Sequence, residues 1–269
     1  LAIEALGALL LAARFCPQFG LWKGLWYAVF HAVSAFCNAG FDLMGYRGLY
    51  SSFTGEYDLF IVNFTIMALI IIGGIGFIVW DDISKNKLHF KKYMLHTKIV
   101  LSVTTFLVFG GALLFYIFEK DNLFADMSMK GKILSALFSS VTARTAGFNT
   151  VDTAALTSSS KLLTIMLMFI GGSPGSTAGG IKTTTVAIMI FYMWSSLRGG
   201  SDCNIFKRRV SENTVKKAGV IISINLMLGL LGTLAVCHLQ SGAVIGKNCS
   251  FGQNVNIAGN VRIGDGVKV

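Results

Sequence analysis

Apolar positions gather into long runs separated by short charged loops. A helix needs roughly 20 apolar residues to cross the hydrocarbon of a bilayer. Three uncharged runs reach that length, 59–80, 99–118 and 218–237, and predict transmembrane helices. A fourth, 162–197, is apolar at both ends but is interrupted by Gly171-Gly172-Ser173-Pro174-Gly175-Ser176-Thr177-Ala178-Gly179-Gly180 and then Lys182. No regular helix runs through that decapeptide. Two shorter apolar runs, 25–36 and 133–143, end in Gly-containing turns. They predict re-entrant half-helices, whose broken ends need protein or a water-filled path around them.

Composition agrees with a membrane protein: 54% of residues are apolar and 13% charged, against a usual quarter charged. The net charge of +10 would suit nucleic acid elsewhere. Here the cations concentrate in two loops, 81–98 (Lys85, Lys87, Lys91, Lys92, Lys98) and 198–217 (Arg198, Lys207, Arg208, Arg209, Lys216, Lys217). Short basic loops stay cytoplasmic, so both are placed inside and no nucleic-acid partner is expected. The neutral or acidic segments 42–58 and 119–132 put both re-entrant turns on the outer face. Five cysteines without CxxC spacing give neither a disulfide framework nor a zinc site. Leu1 stands within an apolar stretch, so no signal peptide is visible and the N-terminus reads as a cut edge.

The order of elements repeats. Residues 30–41, ending Cys37-Asn38-Ala39-Gly40-Phe41, align with 138–148, ending Arg144-Thr145-Ala146-Gly147-Phe148, with one residue dropped. The following helices echo each other, Thr65-Ile66-Met67 before Ile72-Gly73-Gly74 and Thr164-Ile165-Met166 before Ile170-Gly171-Gly172. The unit is helix, pore loop, helix. Such loops, ringed around an axis, coordinate a dehydrated cation with backbone carbonyls. Glycine is needed where the loop turns back, which singles out Gly40 and Gly147. The bland alternative makes them helix-packing glycines, the role assigned to Gly73, Gly74 and Gly76. Residues 175–183 mimic a phosphate-binding loop, but Ile181 separates Gly180 from Lys182 and no strand precedes it, so ATP binding is discarded. His31 is better explained as a packed, hydrogen-bonded residue than as a metal ligand.

Residues 34–42, 142–152 and 170–185 together resemble the Trk/Ktr/HKT superfamily of potassium transport subunits, with the bacterial Ktr-type translocating subunit the nearest kind. The resemblance implies four helix–loop–helix repeats around one pore, with one filter glycine per repeat. It assigns 1–80 to the second repeat with its first helix truncated, 99–197 to the third with a broken second helix, and 218–239 to the opening helix of the fourth. Residues 81–98 and 198–217 are the cytoplasmic loops. Cys37, Asn38, Ala39, Gly40 and Phe41, and Arg144, Thr145, Ala146, Gly147 and Phe148, would be two of four filter walls. Gly171 to Gly180 and Lys182 would form the intramembrane gate loop; the alternative is a flexible external loop. Arg144 would turn outward to pair and brace its loop, or repel cations from the pore. Lys182 would either tune the gate or snorkel towards the cytoplasm.

Beyond residue 239 the periodicity changes. Ile245-Gly246, Phe251-Gly252, Ile257-Ala258, Ile263-Gly264 and Val269 recur every six residues. This resembles the left-handed β-helix of hexapeptide-repeat acyltransferases. Four hexads fall short of the stacked coils a solenoid core needs, so 241–269 is expected to be an inactive, chimeric addition.

The expected fold is therefore an all-α membrane protein of helix–pore-loop–helix repeats, an incomplete set of four, with a short left-handed β-helix-like C-terminal tail. The resemblance implies K+ transport by a pore-forming subunit, with Na+ as coupling or permeant ion, and no enzymatic step or cofactor. It further implies a multi-pass protein of the bacterial inner (plasma) membrane, a homodimer, and a cytosolic nucleotide-binding regulatory ring. The alternatives are an inactive fragment or chimera, and a membrane-anchored acyltransferase.

Overall fold

The computed structural model describes residues 1–48, 51–87, 89–199, 203–206, 208–241, 244–245 and 262–263. The chain divides into two units, Leu1–Ala218 and Gly219–Val269.

In the first unit α1 (Ala2–Phe19) turns at Gly20 into α2 (Leu21–Phe36), and α3 (Phe60–Ile75) and α4 (Phe77–Asn86) follow a long connection. Then come α5 (Leu95–Glu119), α6 (Met129–Thr142), α7 (Ser158–Phe169) and α8 (Thr183–Leu197). A short antiparallel hairpin, β1 (Asn204–Ile205) with β2 (Arg208–Arg209), precedes α9 (Glu212–Ser241), which continues into the second unit.

Local chemistry sets several of these boundaries. The Ser128 hydroxyl accepts from Gly131 N–H at 3.0 Å and starts α6, and Thr157 caps α7 in the same way through Ser160 N–H. The first turn of α5 is capped from outside, by Asp82 of α4, which accepts from Met94 N–H at 2.9 Å. Glu119, fully buried at the end of α5, accepts from both the N–H and the hydroxyl of Thr157. That joins the end of α5 to the start of α7.

Apolar packing knits the two halves of the first unit together. One core cluster takes Leu11 and Phe15 from α1, Ala28 and Ala32 from α2, Ile66 from α3, and Phe138 from α6, along with Phe53 and Phe148 from connecting segments. His31 is sealed inside it. Its Nε2 accepts from Leu43 N–H at 3.1 Å, which leaves Nδ1 to donate to Tyr27 O at 2.6 Å. The imidazole is a neutral structural pin, not a metal ligand.

Three described helices, α1, α5 and α9 over Glu212–Leu234, are long and apolar enough to cross a membrane, and a fourth span exists if α3 and α4 are counted as one. That pair corrects the expectation of a continuous helix over 59–80. The chain bends by 95° at Gly76. Its φ of 93° is unfavourable for a residue with a side chain, and a Cβ there would stand 2.5 Å from Pro174 O. Phe77 N–H donates to Gly175 O at 3.1 Å, so the interrupted segment after α7 occupies the bend. Gly76 is a hinge rather than a packing glycine.

The expected β-helix tail is not found among the described residues. After α9 the described residues contain one parallel pair of two-residue strands, β3 (Val244–Ile245) and β4 (Arg262–Ile263). One such pair has no stacked coils to bury a core, so it is not a solenoid. The other hexad positions, including Phe251, Ile257 and Val269, lie outside the described residues. The fold is helical, with a small antiparallel hairpin in its first unit.

Candidate functional site

α2 and α6 each run into a tight turn that doubles back over the helix end. A hydroxyl in the last turns of each helix pins the return: Ser34 donates to Phe41 O at 2.7 Å, and Thr142 to Phe148 O at 2.6 Å. Within the turns the backbone enters the left-handed region at Asn38 (φ 52°) and Gly40 (74°), then again at Thr145 (67°) and Gly147 (95°). The two turns share a backbone pattern that the sequence alignment pairs residue for residue.

They also touch. A Cβ on Gly40 would collide with Ala146 O and stand 2.8 Å from Gly147 Cα, while one on Gly147 would stand 3.1 Å from Gly40 Cα. The two segments 37–41 and 144–148 therefore meet at one junction. Their side chains differ in surroundings. Cys37 and Ala39 are exposed and Phe41 is 70% exposed, whereas Phe148 is fully buried against Phe53 at 5.7 Å between ring centres. A cavity of about 520 Å3 opens against the junction, lined by Ala39, Thr145, Gly147, Asn149, Thr150 and Met168 among others.

Arg144 departs from its expected outward, paired placement. Its side chain is buried, its Nε has no hydrogen-bond partner, and no described carboxylate forms an ion pair with it. It lines a small void together with Asn38, Ile70, Gly74, Gly172 and Ala178.

The interrupted segment between α7 and α8 is a closed loop. At its neck Gly171 N–H donates to Ile181 O (3.1 Å), Gly172 N–H to Gly179 O (3.1 Å) and Thr183 N–H to Gly172 O (3.1 Å). Ser173 and Thr183, both fully buried, share a hydroxyl bond of 2.9 Å. Lys182 is neither free nor snorkelling, because its ammonium donates to Ala178 O at 2.8 Å and closes the loop further. The loop is seated on α3, where Ser173 N–H donates to Gly74 O at 2.9 Å and Thr177 N–H to Gly73 O at 3.3 Å. These bonds give Gly73 and Gly74 a carbonyl role; close packing holds for Gly73, where a Cβ would collide with Phe36 O, and not for Gly74, which has nothing within 4 Å of one.

Sequence spacing did not single out Ser34 and Thr142 as pins, nor Glu119 and Asp82 as clamps. A hydroxyl six residues before Gly40 and five before Gly147 was the available signal. No group of three or more His, Cys, Asp or Glu that could hold a metal occurs among the described residues.

These features define a multi-pass membrane protein in which two re-entrant loops meet backbone to backbone beside a broken helix. A family model described as TrkH, cation transport protein, matches residues 2–251, and the chain belongs to that family. The match continues past residue 241, overturning the assignment of the whole tail to a hexapeptide-repeat acyltransferase. The chain is 40% identical over 235 residues to the potassium/sodium uptake protein NtpJ of Enterococcus hirae, covering 87% of this chain and 51% of that protein. It is 39% identical over 228 residues to the Ktr system potassium uptake protein B of Vibrio alginolyticus, covering 84% and 49%. The chain thus spans about half the length of these curated relatives. The crystal structure of the potassium transporter TrkH from Vibrio parahaemolyticus superposes with a TM-score of 0.73 at 18% identity, over 88% of this chain and 49% of that one. That likeness speaks to the fold alone.

Proposed function

We propose that the chain contributes to a gated K+ pathway across the membrane, in which Na+ is the coupling or permeant ion. The observation that carries this reading is the contact of Gly40 with Gly147 at the ends of two matching half-helices. A bare cation must exchange its water shell for fixed oxygens, and backbone carbonyls in a tight glycine turn supply them without a side chain in the way. The C-terminal ends of α2 and α6 lead into those turns, so the negative ends of both helix dipoles favour positive charge there.

On this reading Cys37, Asn38, Ala39, Gly40 and Phe41 form one wall of a selectivity filter, and Arg144, Thr145, Ala146, Gly147 and Phe148 form the next. Gly171 to Gly180, closed by Lys182, is the gate. The named transport roles of the relatives and the family match support the ion assigned. Nothing in the mechanism calls for a covalent step or a cofactor. The superfamily resemblance adds a homodimer and a cytosolic nucleotide-binding ring. The basic loops 81–98 and 198–217 are the docking surface assigned to that ring, and exposed Lys91 and Lys92 suit it.

The test is K+ accumulation by cells lacking their own K+ uptake, expressing a full-length subunit that carries residues 1–241 of this sequence. Growth and accumulation at low external K+ support the proposal. A membrane-inserted subunit that accumulates none contradicts it.

A further inference from the structure

The loop between α7 and α8 is bonded directly to both re-entrant turns. The Thr177 hydroxyl accepts from Asn38 Nδ2 at 2.8 Å and donates to Phe36 O at 3.0 Å. Two residues on, Gly179 N–H donates to the Thr145 hydroxyl at 3.0 Å. Asn38 and Thr145 are equivalent positions, each two residues before its glycine. Each holds a left-handed backbone although neither is glycine. Asn tolerates that conformation, but for a β-branched residue such as Thr it is an outlier. Such residues stay in place only where their surroundings hold them. Here the loop adds holding groups to the hydroxyl pins that Ser34 and Thr142 supply from within each turn.

The same junction is imperfectly satisfied. Asn38 Oδ1 and Arg144 Nε are both buried without a partner, and both residues line the small void that Gly172 and Ala178 close from the loop side. An unpartnered buried polar atom weakens the state that contains it. The contact is therefore one that can separate.

We infer that Thr177 and Gly179 set the shape of the filter: with the loop seated they hold Asn38 and Thr145 left-handed, and with the loop displaced both residues relax and the neighbouring carbonyls lose their aim. Thr177 is then a positioning residue for ion selectivity, and discrimination of K+ from Na+ falls as the gate opens. This rests on the filter and gate roles proposed above. It differs from simple occlusion, in which the gate alters flux and leaves selectivity alone.

The test uses Thr177→Val, Thr177→Ser and Thr145→Val in a full-length subunit carrying this sequence, with K+ and Na+ uptake measured separately and membrane insertion quantified. Val keeps the shape and removes the hydroxyl. The expected result for Thr177→Val is a K+ to Na+ preference lowered by about fivefold, the equivalent of one typical hydrogen bond, with recovery in Thr177→Ser. Thr145→Val, which leaves the Thr177 bonds intact, is expected to shift the ratio in the same direction and keeps the test valid if Thr177→Val fails to insert. An unchanged ratio in the inserted Val variants, with K+ uptake intact, overturns the coupling and leaves the transport reading standing. Absence of uptake by the unsubstituted subunit overturns both.

Discussion

Gly40 and Gly147 meet backbone to backbone: a Cβ on the first would reach 2.8 Å from the Cα of the second, and the reverse distance is 3.1 Å. They are 107 residues apart in sequence, yet each occupies the same place after a half-helix. Their contact brings the two copies of an internal repeat to one junction.

Gly40→Ala tests how tightly that contact is set. The new methyl meets the Ala146 carbonyl and a φ of 74° that alanine resists. The expected effect is a loss of more than about 1 kcal/mol of stability in the loop, together with loss of selective K+ uptake. Thermal unfolding in detergent and uptake at matched protein levels check both halves.

Removal of residues 172–179 tests the gate. The segment carries the bonds to Asn38, Thr145, Gly73 and Gly74. Ion flux through a full-length subunit is expected to rise. Flux at the unsubstituted level would show that the loop does not gate.

His31→Leu separates scaffold from pathway. The substitution leaves Leu43 N–H and Tyr27 O without their imidazole partner inside the core. The expected loss is about 2 kcal/mol, in the range for an unpaired buried donor. Added divalent metal should leave the stability of the unsubstituted protein unchanged, because the imidazole acts as a hydrogen-bond pin; metal-dependent stabilisation of that protein, absent in His31→Leu, would refute that role.

Much of the site was legible in the sequence because its chemistry is local. The Ala-Gly-Phe turns repeat at matching positions, and the glycine-rich interruption splits one long apolar run. What was missed depends on contacts between distant segments. Hydropathy sees 59–80 as one span, since a bend at Gly76 changes no residue's polarity; the bend exists because Pro174 and Gly175 lie against it. Arg144 was expected to find an external partner, as its charge suggests, but tertiary packing buries it. The hexads after residue 239 satisfy a spacing rule but are too few to stack into a solenoid core, and the family match runs through their start. Local pattern places Thr177 only within the glycine-rich interruption, because its bond to Asn38 spans 139 residues.

The most direct measurement is the K+ to Na+ selectivity of a full-length subunit carrying this sequence with Gly147→Ser. If Gly147 is a wall of the filter, the added side chain at a φ of 95° displaces the carbonyls and K+ preference falls towards parity while the protein still inserts. Selectivity indistinguishable from the unsubstituted subunit would remove Gly147 from the ion's path and contradict the account.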